Sequence, residues 1–181
     1  RSTGSVAVLG NGLSGRAVED LLNKEGYACD MFDQKDKLFG RENARNCSLV
    51  ITSPGFPPSH EWIKLAEQEG KTIITELDLG VCFSRAGSLV GITGTNGKTT
   101  TTLLTHHILE RAGLQVGLAG NVGYSFAKQV ALEQHDYYVL ELSSFQLDGM
   151  RTVILDYAVL LNITPDHLDR YDSMQDYVNS K

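Results

Sequence analysis

Two glycine-rich turns, each set between an apolar strand and a helix, constrain this chain more than any other feature. The first is Gly10-Asn11-Gly12-Leu13-Ser14-Gly15, directly after Val6-Ala7-Val8-Leu9. The second is Gly94-Thr95-Asn96-Gly97-Lys98-Thr99, after an apolar stretch over residues 88–93. Strand and helix signals alternate around both. After the first turn a helix is expected over 16–24, with Ala17, Val18, Leu21 and Leu22 at helical spacing, and Gly26 closes it. Strands are expected over 28–32, 49–52 and 72–75, with a helix over 59–69 capped by Ser59 and stopped by Gly70. After the second turn the pattern predicts a helix over 98–112 and strands over 115–119, 137–142 and 157–162. Such a series folds as parallel sheet covered by helices.

The two turns carry different chemistry. In the first, GxGxxG glycines let the backbone turn tightly and approach a pyrophosphate, which then sits at the positive end of the helix. Asp33, at the end of the next strand, stands where an acid usually holds a ribose hydroxyl. These residues alone would fit an NAD-dependent oxidoreductase. The second turn is a shortened phosphate loop: Ile92 occupies the place of the first glycine in GxxxxGK[ST]. Its successive amides can wrap the phosphates of ATP, Lys98 can bridge the β- and γ-phosphates, and the Thr99 hydroxyl can ligate Mg²⁺. A dehydrogenase has no use for that second loop.

Composition narrows the class. With 41% hydrophobic and 21% charged residues, the 181-residue chain has the balance of a folded globular protein. A net charge of −6 argues against general affinity for nucleic acid. Cys29, Cys47 and Cys82 are odd in number and widely spaced, so neither a disulfide framework nor a metal-binding pair is implied, and reduced thiols in the cytoplasm are expected. Cys29 reads as a core residue on a strand. No apolar run approaches the roughly 20 residues needed to span a bilayer, and the Arg1-Ser2-Thr3-Gly4 start reads as too short and polar for a signal peptide.

Gly94 to Thr99, preceded by Val90-Gly91-Ile92-Thr93, resembles the ATP loop of the Mur ligase family. Gly120-Asn121-Val122-Gly123 resembles the family's substrate-side turn. Glu141-Leu142-Ser143-Ser144-Phe145-Gln146-Leu147 and Asn162-Ile163-Thr164-Pro165-Asp166-His167-Leu168-Asp169-Arg170-Tyr171 resemble motifs of its D-glutamate-adding branch. The resemblance covers essentially the whole chain. It implies an α/β fold: a Rossmann-like parallel-sheet UDP-substrate domain over 1–86, then the first part of a P-loop-type ATP-binding domain over 87–181. The family has three domains, so the chain is expected to stop about midway through the second, without the C-terminal domain.

The activity implied is ATP-driven addition of D-glutamate to UDP-N-acetylmuramoyl-L-alanine through an acyl phosphate, with ATP and Mg²⁺ as cofactors and neither nucleic acid nor membrane as partner. Competing readings are another member of the family, such as the L-alanine-adding enzyme, or a non-catalytic UDP-sugar binding module. By resemblance, Gly94, Thr95, Asn96, Gly97, Lys98, Thr99 and Thr100 would hold ATP. Thr99, Glu141, His167 and Lys181 would hold metal, with Lys181 near the spacing of the family's carbamylated lysine. Lys98, Glu141, His167 and Lys181 form the implied catalytic set. Gly12, Leu13, Ser14, Asp33, Gln34, Gly55, Asn121 and His167 would meet the UDP substrate. Gln34-Lys35 departs from the Thr-Arg pair common in some members. His106 and His107, on the phosphate-loop helix, are expected to be surface or packing residues.

Overall fold

The computed structural model describes residues 5–85, 87–166 and 170–181. They form two parallel four-stranded sheets. The first is built from β1 (Ser5–Leu9), β2 (Cys29–Phe32), β3 (Cys47–Thr52) and β4 (Thr72–Thr75), in the order β2-β1-β3-β4. Its helices are α1 (Leu13–Lys24), α2 (Arg41–Asn46), α3 (Glu61–Gln68) and α4 (Glu76–Phe83). The chain then enters a second sheet of β5 (Ser88–Thr93), β6 (Val116–Gly120), β7 (Tyr137–Glu141) and β8 (Tyr157–Leu160), ordered β6-β7-β5-β8. Its helices are α5 (Lys98–Arg111), α6 (Phe126–Leu132), α7 (Ser144–Gly149) and α8 (Met174–Asn179). Within each sheet every pairing is parallel.

Burial explains why these segments take these forms. β1 buries Val6, Ala7, Val8 and Leu9 on both faces, as strands inside a covered parallel sheet do. α1 turns Ala17, Val18, Leu21 and Leu22 inward. One core joins the two sheets: Val8, Leu21 and Leu77 of the first half belong to the same buried cluster as Phe126, Val130 and Tyr138 of the second. On the far face of the first sheet a separate core is aromatic, with Phe32, Phe39 and Trp62 against Leu9 and Ile63.

Four local expectations shift. α1 begins at Leu13, because the Arg16 amide already donates to Gly12 O at 3.0 Å. The cap of α3 is His60, not Ser59: the Trp62 amide donates to His60 Nδ1. β8 ends at Leu160 because Asn162 leaves the sheet to bond the second glycine turn. Cys29 is only half-buried on β2, at the edge of its sheet, and all three cysteines are free.

Candidate functional site

Ligands of open parallel sheets bind beyond the carboxyl ends of the strands. Here the carboxyl ends of both sheets open on one cleft of about 640 Å³. Gly12, Leu13, Ser14 and Gly55 line it from the first half, and Lys98, Asn121 and Lys181 from the second. A smaller hollow of about 310 Å³ adjoins it through shared residues Gly12, Ser53 and Gly55, and is lined by Asp33, Gln34, Lys35, Phe56 and His60. All the substrate-side residues expected from the sequence except His167, which lies outside the described residues, therefore line one of two contiguous spaces.

The first turn is shaped by the backbone. A Cβ at Gly15 would stand 1.7 Å from Gly10 O, so only glycine lets α1 approach β1 this closely. Asp33 braces the turn by accepting from the Asn11 and Lys35 amides at 3.3 and 3.0 Å. Those bonds, the Lys35 one foremost, hold its carboxyl below the usual range. Gln34 Nε2 lies 2.9 Å from His60 Nε2. Leu13 is 92% exposed on the first turn of α1, an unusual place for leucine and one that presents an apolar surface to the cleft.

The second turn is held by side chains from far along the sequence. Thr95 Oγ1 donates to Thr164 O at 3.1 Å and accepts from the Thr164 amide at 3.0 Å, with Tyr177 Oη at 2.9 Å. Asn96 and Asn162 exchange two bonds of 2.9 Å. Gly97 caps α5 in the left-handed region at φ 84°, so no side chain occupies the helix N-terminus. Lys98 Nζ folds back onto Thr95 O at 2.8 Å. Thr99 and Thr100 are exposed on the first turn of α5, outside the lining of the cleft.

Glu141 ends β7 at 2% exposure and is not itself part of the cleft lining. Its Oε1 accepts from Asn121 Nδ2 at 3.0 Å, and its Oε2 has no hydrogen-bond partner among the described residues. A buried carboxylate oxygen left without a donor suits a cation. Lys181 donates to Thr93 Oγ1 at 3.0 Å and Gly94 O at 3.1 Å. Burial and the Lys98 ammonium push its pKa down to about 8, against Asp166 and Asp148. Among the described residues no three His, Cys, Asp or Glu side chains gather as a metal site.

Sequence reasoning missed several lining residues. Phe56 and His60 carry no motif, and Tyr177 reaches the phosphate loop only through the fold. Ser143 and Gln146, placed by the sequence only within a family motif, form a capping box on α7 within the cleft lining, and their S-x-x-Q spacing is the signal that could have shown it. Arg170 stacks on Phe145 at 3.8 Å and Tyr171 donates to Asp148 at 2.7 Å, which ties the last two sequence motifs together. His106, as expected, packs locally, with Nε2 3.1 Å from Val116 O.

Comparison with known proteins bears on what this cleft holds. Residues 92–181 match the family described as the Mur ligase middle domain. The UDP-N-acetylmuramoylalanine–D-glutamate ligase of Bacteroides fragilis is 46% identical over 97% of this chain and 44% of its own length. That of Porphyromonas gingivalis is 54% identical over 68% of this chain and 27% of its own length. The chain thus spans less than half the length of these curated relatives. Among solved structures, the UDP-N-acetylmuramate:L-alanyl-gamma-D-glutamyl-meso-diaminopimelate ligase from Neisseria meningitides has a TM-score of 0.59 at 17% identity, over 99% of this chain and 66% of that one. The UDP-N-acetylmuramate-alanine ligase from Thermotoga maritima has 0.54 at 20% identity, over 97% and 45%. At such identities the two structures speak for the fold, which is α/β with two parallel sheets. No helix among the described residues is long and apolar enough to cross a membrane.

Proposed function

The chain belongs to the Mur ligase family, and on that premise we propose that it forms the nucleotide-handling part of a cytoplasmic ligase that adds D-glutamate to UDP-N-acetylmuramoyl-L-alanine at the expense of ATP. The observation that carries this reading is the single cleft joining both glycine turns, one suited to a UDP-sugar and one to a nucleoside triphosphate. The first turn and the hollow beside Asp33 and Gln34 take the UDP end. Asn121 faces the muramoyl portion, so that the terminal carboxylate of the substrate points toward Lys98.

In the reaction, a carboxylate oxygen attacks the γ-phosphorus of ATP and ADP leaves. The amine of D-glutamate then attacks the acyl carbon, phosphate leaves with that oxygen, and the nitrogen sheds a proton. A carboxylate is anionic and has no leaving group, so phosphorylation is what makes it an electrophile. The amides of residues 94–97 and the α5 N-terminus hold the triphosphate. Lys98 leaves Thr95 O to meet the transferring phosphoryl group. Mg²⁺, when bound, offsets the charge that builds there. Thr99, Glu141, His167 and a carbamylated Lys181 are its proposed ligands, and the Oε2 of Glu141, without a donor among the described residues, is the feature that supports a cation.

The test is Lys98→Ala in the full-length protein. Phosphate release should fall by roughly a thousandfold, the scale of losing a charge aimed at the transition state. The Kd for the UDP substrate should stay within about twofold, because Lys98 serves the other nucleotide. Normal turnover in the variant would sink the assignment. In calorimetry the chain should also bind UDP-N-acetylmuramoyl-L-alanine in preference to NAD, and the reverse order would revive the oxidoreductase reading.

A further inference from the structure

The seam between the two sheets holds two buried acids that the proposed chemistry does not use, both in the first turn of α4. Asp78 is fully engaged: its carboxylate accepts from the Thr75 amide and hydroxyl and from the Arg151 and Thr152 amides. Glu76 is different. Its Oε1 accepts from the Ala127 amide in the first turn of α6, which belongs to the other sheet. Its Oε2 has no partner among the described residues, and the residue is 1% exposed. Ser125, the N-cap residue of α6, makes no side-chain cap bond of its own. An acid from the first half therefore supplies the cap that α6 lacks. Burial pushes the Glu76 carboxyl up to about 7, while the Ala127 amide and the Ser125 hydroxyl act in the opposite sense.

The start of α6 is also the end of a wall of the cleft. Gly120, Asn121, Gly123 and Ser125 line it in succession between β6 and α6. At its β6 end this wall is fixed to β7: the Asn121 amide donates to Glu141 O at 2.9 Å, and Asn121 Nδ2 to Glu141 Oε1 at 3.0 Å. At its α6 end the bond from the Ala127 amide ties it to Glu76, and so to the sheet that carries the first glycine turn. We propose that Glu76 is a positioning residue for the UDP-nucleotide cleft: by capping α6 from the opposite sheet it fixes the wall bearing Asn121 at a set separation from the Gly12 turn. The assignment of the ligand rests on the function proposed above, whereas the anchoring of the wall does not.

Three variants of the chain separate this role from simple packing. Glu76→Gln keeps a carbonyl acceptor for the Ala127 amide, Glu76→Leu removes it at similar volume, and Glu76→Asp keeps the acid but shortens its reach. Binding of UDP-N-acetylmuramoyl-L-alanine is followed by calorimetry, and hydrogen exchange reports on the amides of residues 121–127. The leucine variant should bind about tenfold more weakly, the scale of one lost buried hydrogen bond. Its amides over 121–127 should lose protection while those of β1 and β3 keep theirs, and the glutamine variant should restore both. If the leucine variant does not fold, the aspartate variant is read instead and should show the same pattern. Wild-type affinity with unchanged exchange over 121–127 in a folded leucine or aspartate variant overturns the proposal. If the wild type binds no UDP nucleotide, the ligand reading fails, and unchanged exchange at Ala127 still overturns the anchoring.

Discussion

The two glycine turns each join a strand to a helix, but they are held by different means. Around the first, the tightest constraint is backbone against backbone, with Asp33 as a side-chain brace: Gly15 abuts Gly10 O, the Gly10 amide donates to Phe32 O, and the Ser53 amide donates to Leu9 O. Around the second, a Cβ at Gly97 would meet nothing closer than 3.6 Å and one at Gly94 would stand 3.2 Å from the Asn162 backbone; the Thr95 amide donates to Asn162 O, and most of the remaining bonds come from the side chains of Asn162, Thr164 and Tyr177. A turn that receives the same kind of ligand group throughout can be built into the chain's own path. A loop that, on the proposed mechanism, releases a lysine from Thr95 O to meet a phosphoryl group is better held by side-chain bonds, which break and re-form singly. The first turn should therefore fail all at once when its sterics are violated, and the second in steps.

Gly15→Ala breaks the comparison at its strongest point. The new Cβ meets a backbone carbonyl that cannot rotate away, so α1 must shift off β1. We expect a loss above about 3 kcal/mol, beyond the usual range for overpacking, read as a large fall in thermal midpoint and loss of UDP-substrate binding. A variant of near wild-type stability would show that the first turn yields as readily as the second.

Between the turns lies the shared seam, and its pH dependence comes next in size. The Glu76 carboxyl has an ordinary value of 4.5 and a folded value of about 7. Below 4.5 the acid is neutral in both states and its burial costs least. As pH rises, the unfolded chain ionises first, so stability falls until the folded carboxyl also ionises near 7, and the penalty is constant above that. The loss is on the order of 3 kcal/mol. Glu76→Gln should remove this component, so denaturation of the two proteins at pH 5 and pH 8 should show a gap that widens in favour of the variant. Parallel pH profiles would show that the carboxyl is already ionised when buried.

How much was legible in the sequence follows the same division. The first turn, its strand and the helix face of Ala17, Val18, Leu21 and Leu22 were readable because their causes are local: period, glycine placement and a strand-end acid. The braces of the second turn were not, since Tyr177 and Thr95 are 82 residues apart and no period links them. The capping position of Ser59 was misplaced by one residue because histidine can cap through Nδ1, a weaker signal than a serine hydroxyl. Glu76 was passed over because an acid at a helix start reads as an ordinary first-turn charge, and only the packing of α4 against α6 buries it.

Thr95→Val tests the second turn through the residue at its centre. Valine keeps the shape but removes a hydroxyl that has both a carbonyl and an amide of Thr164 as partners. Leaving those groups without a partner should cost about 2 kcal/mol, with faster exchange of the amides over residues 94–98. Retained protection there would mean that the Asn96–Asn162 pair suffices.

Tyr177→Phe is the mildest and most discriminating change. A hydroxyl has one proton to donate and room to accept two. With the Thr95 proton on Thr164 O and the Thr164 amide on one lone pair, Tyr177 must be the donor in the remaining bond. Phenylalanine fills the same buried space, at a position only 1% exposed, and removes that donor. Thr95 then keeps two of its three partners, so the cost should be about 1 kcal/mol, near the mean for a single hydrogen bond. The exchange of residues 94–98 should quicken by less than in Thr95→Val, and the amides of residues 10–15 should not change. If the two turns are held as independently as their contacts imply, the combined Gly15→Ala, Tyr177→Phe protein should show additive losses to within about 0.5 kcal/mol. A markedly larger combined loss would mean that the shared core couples the two turns, and that the second depends on the first for its shape.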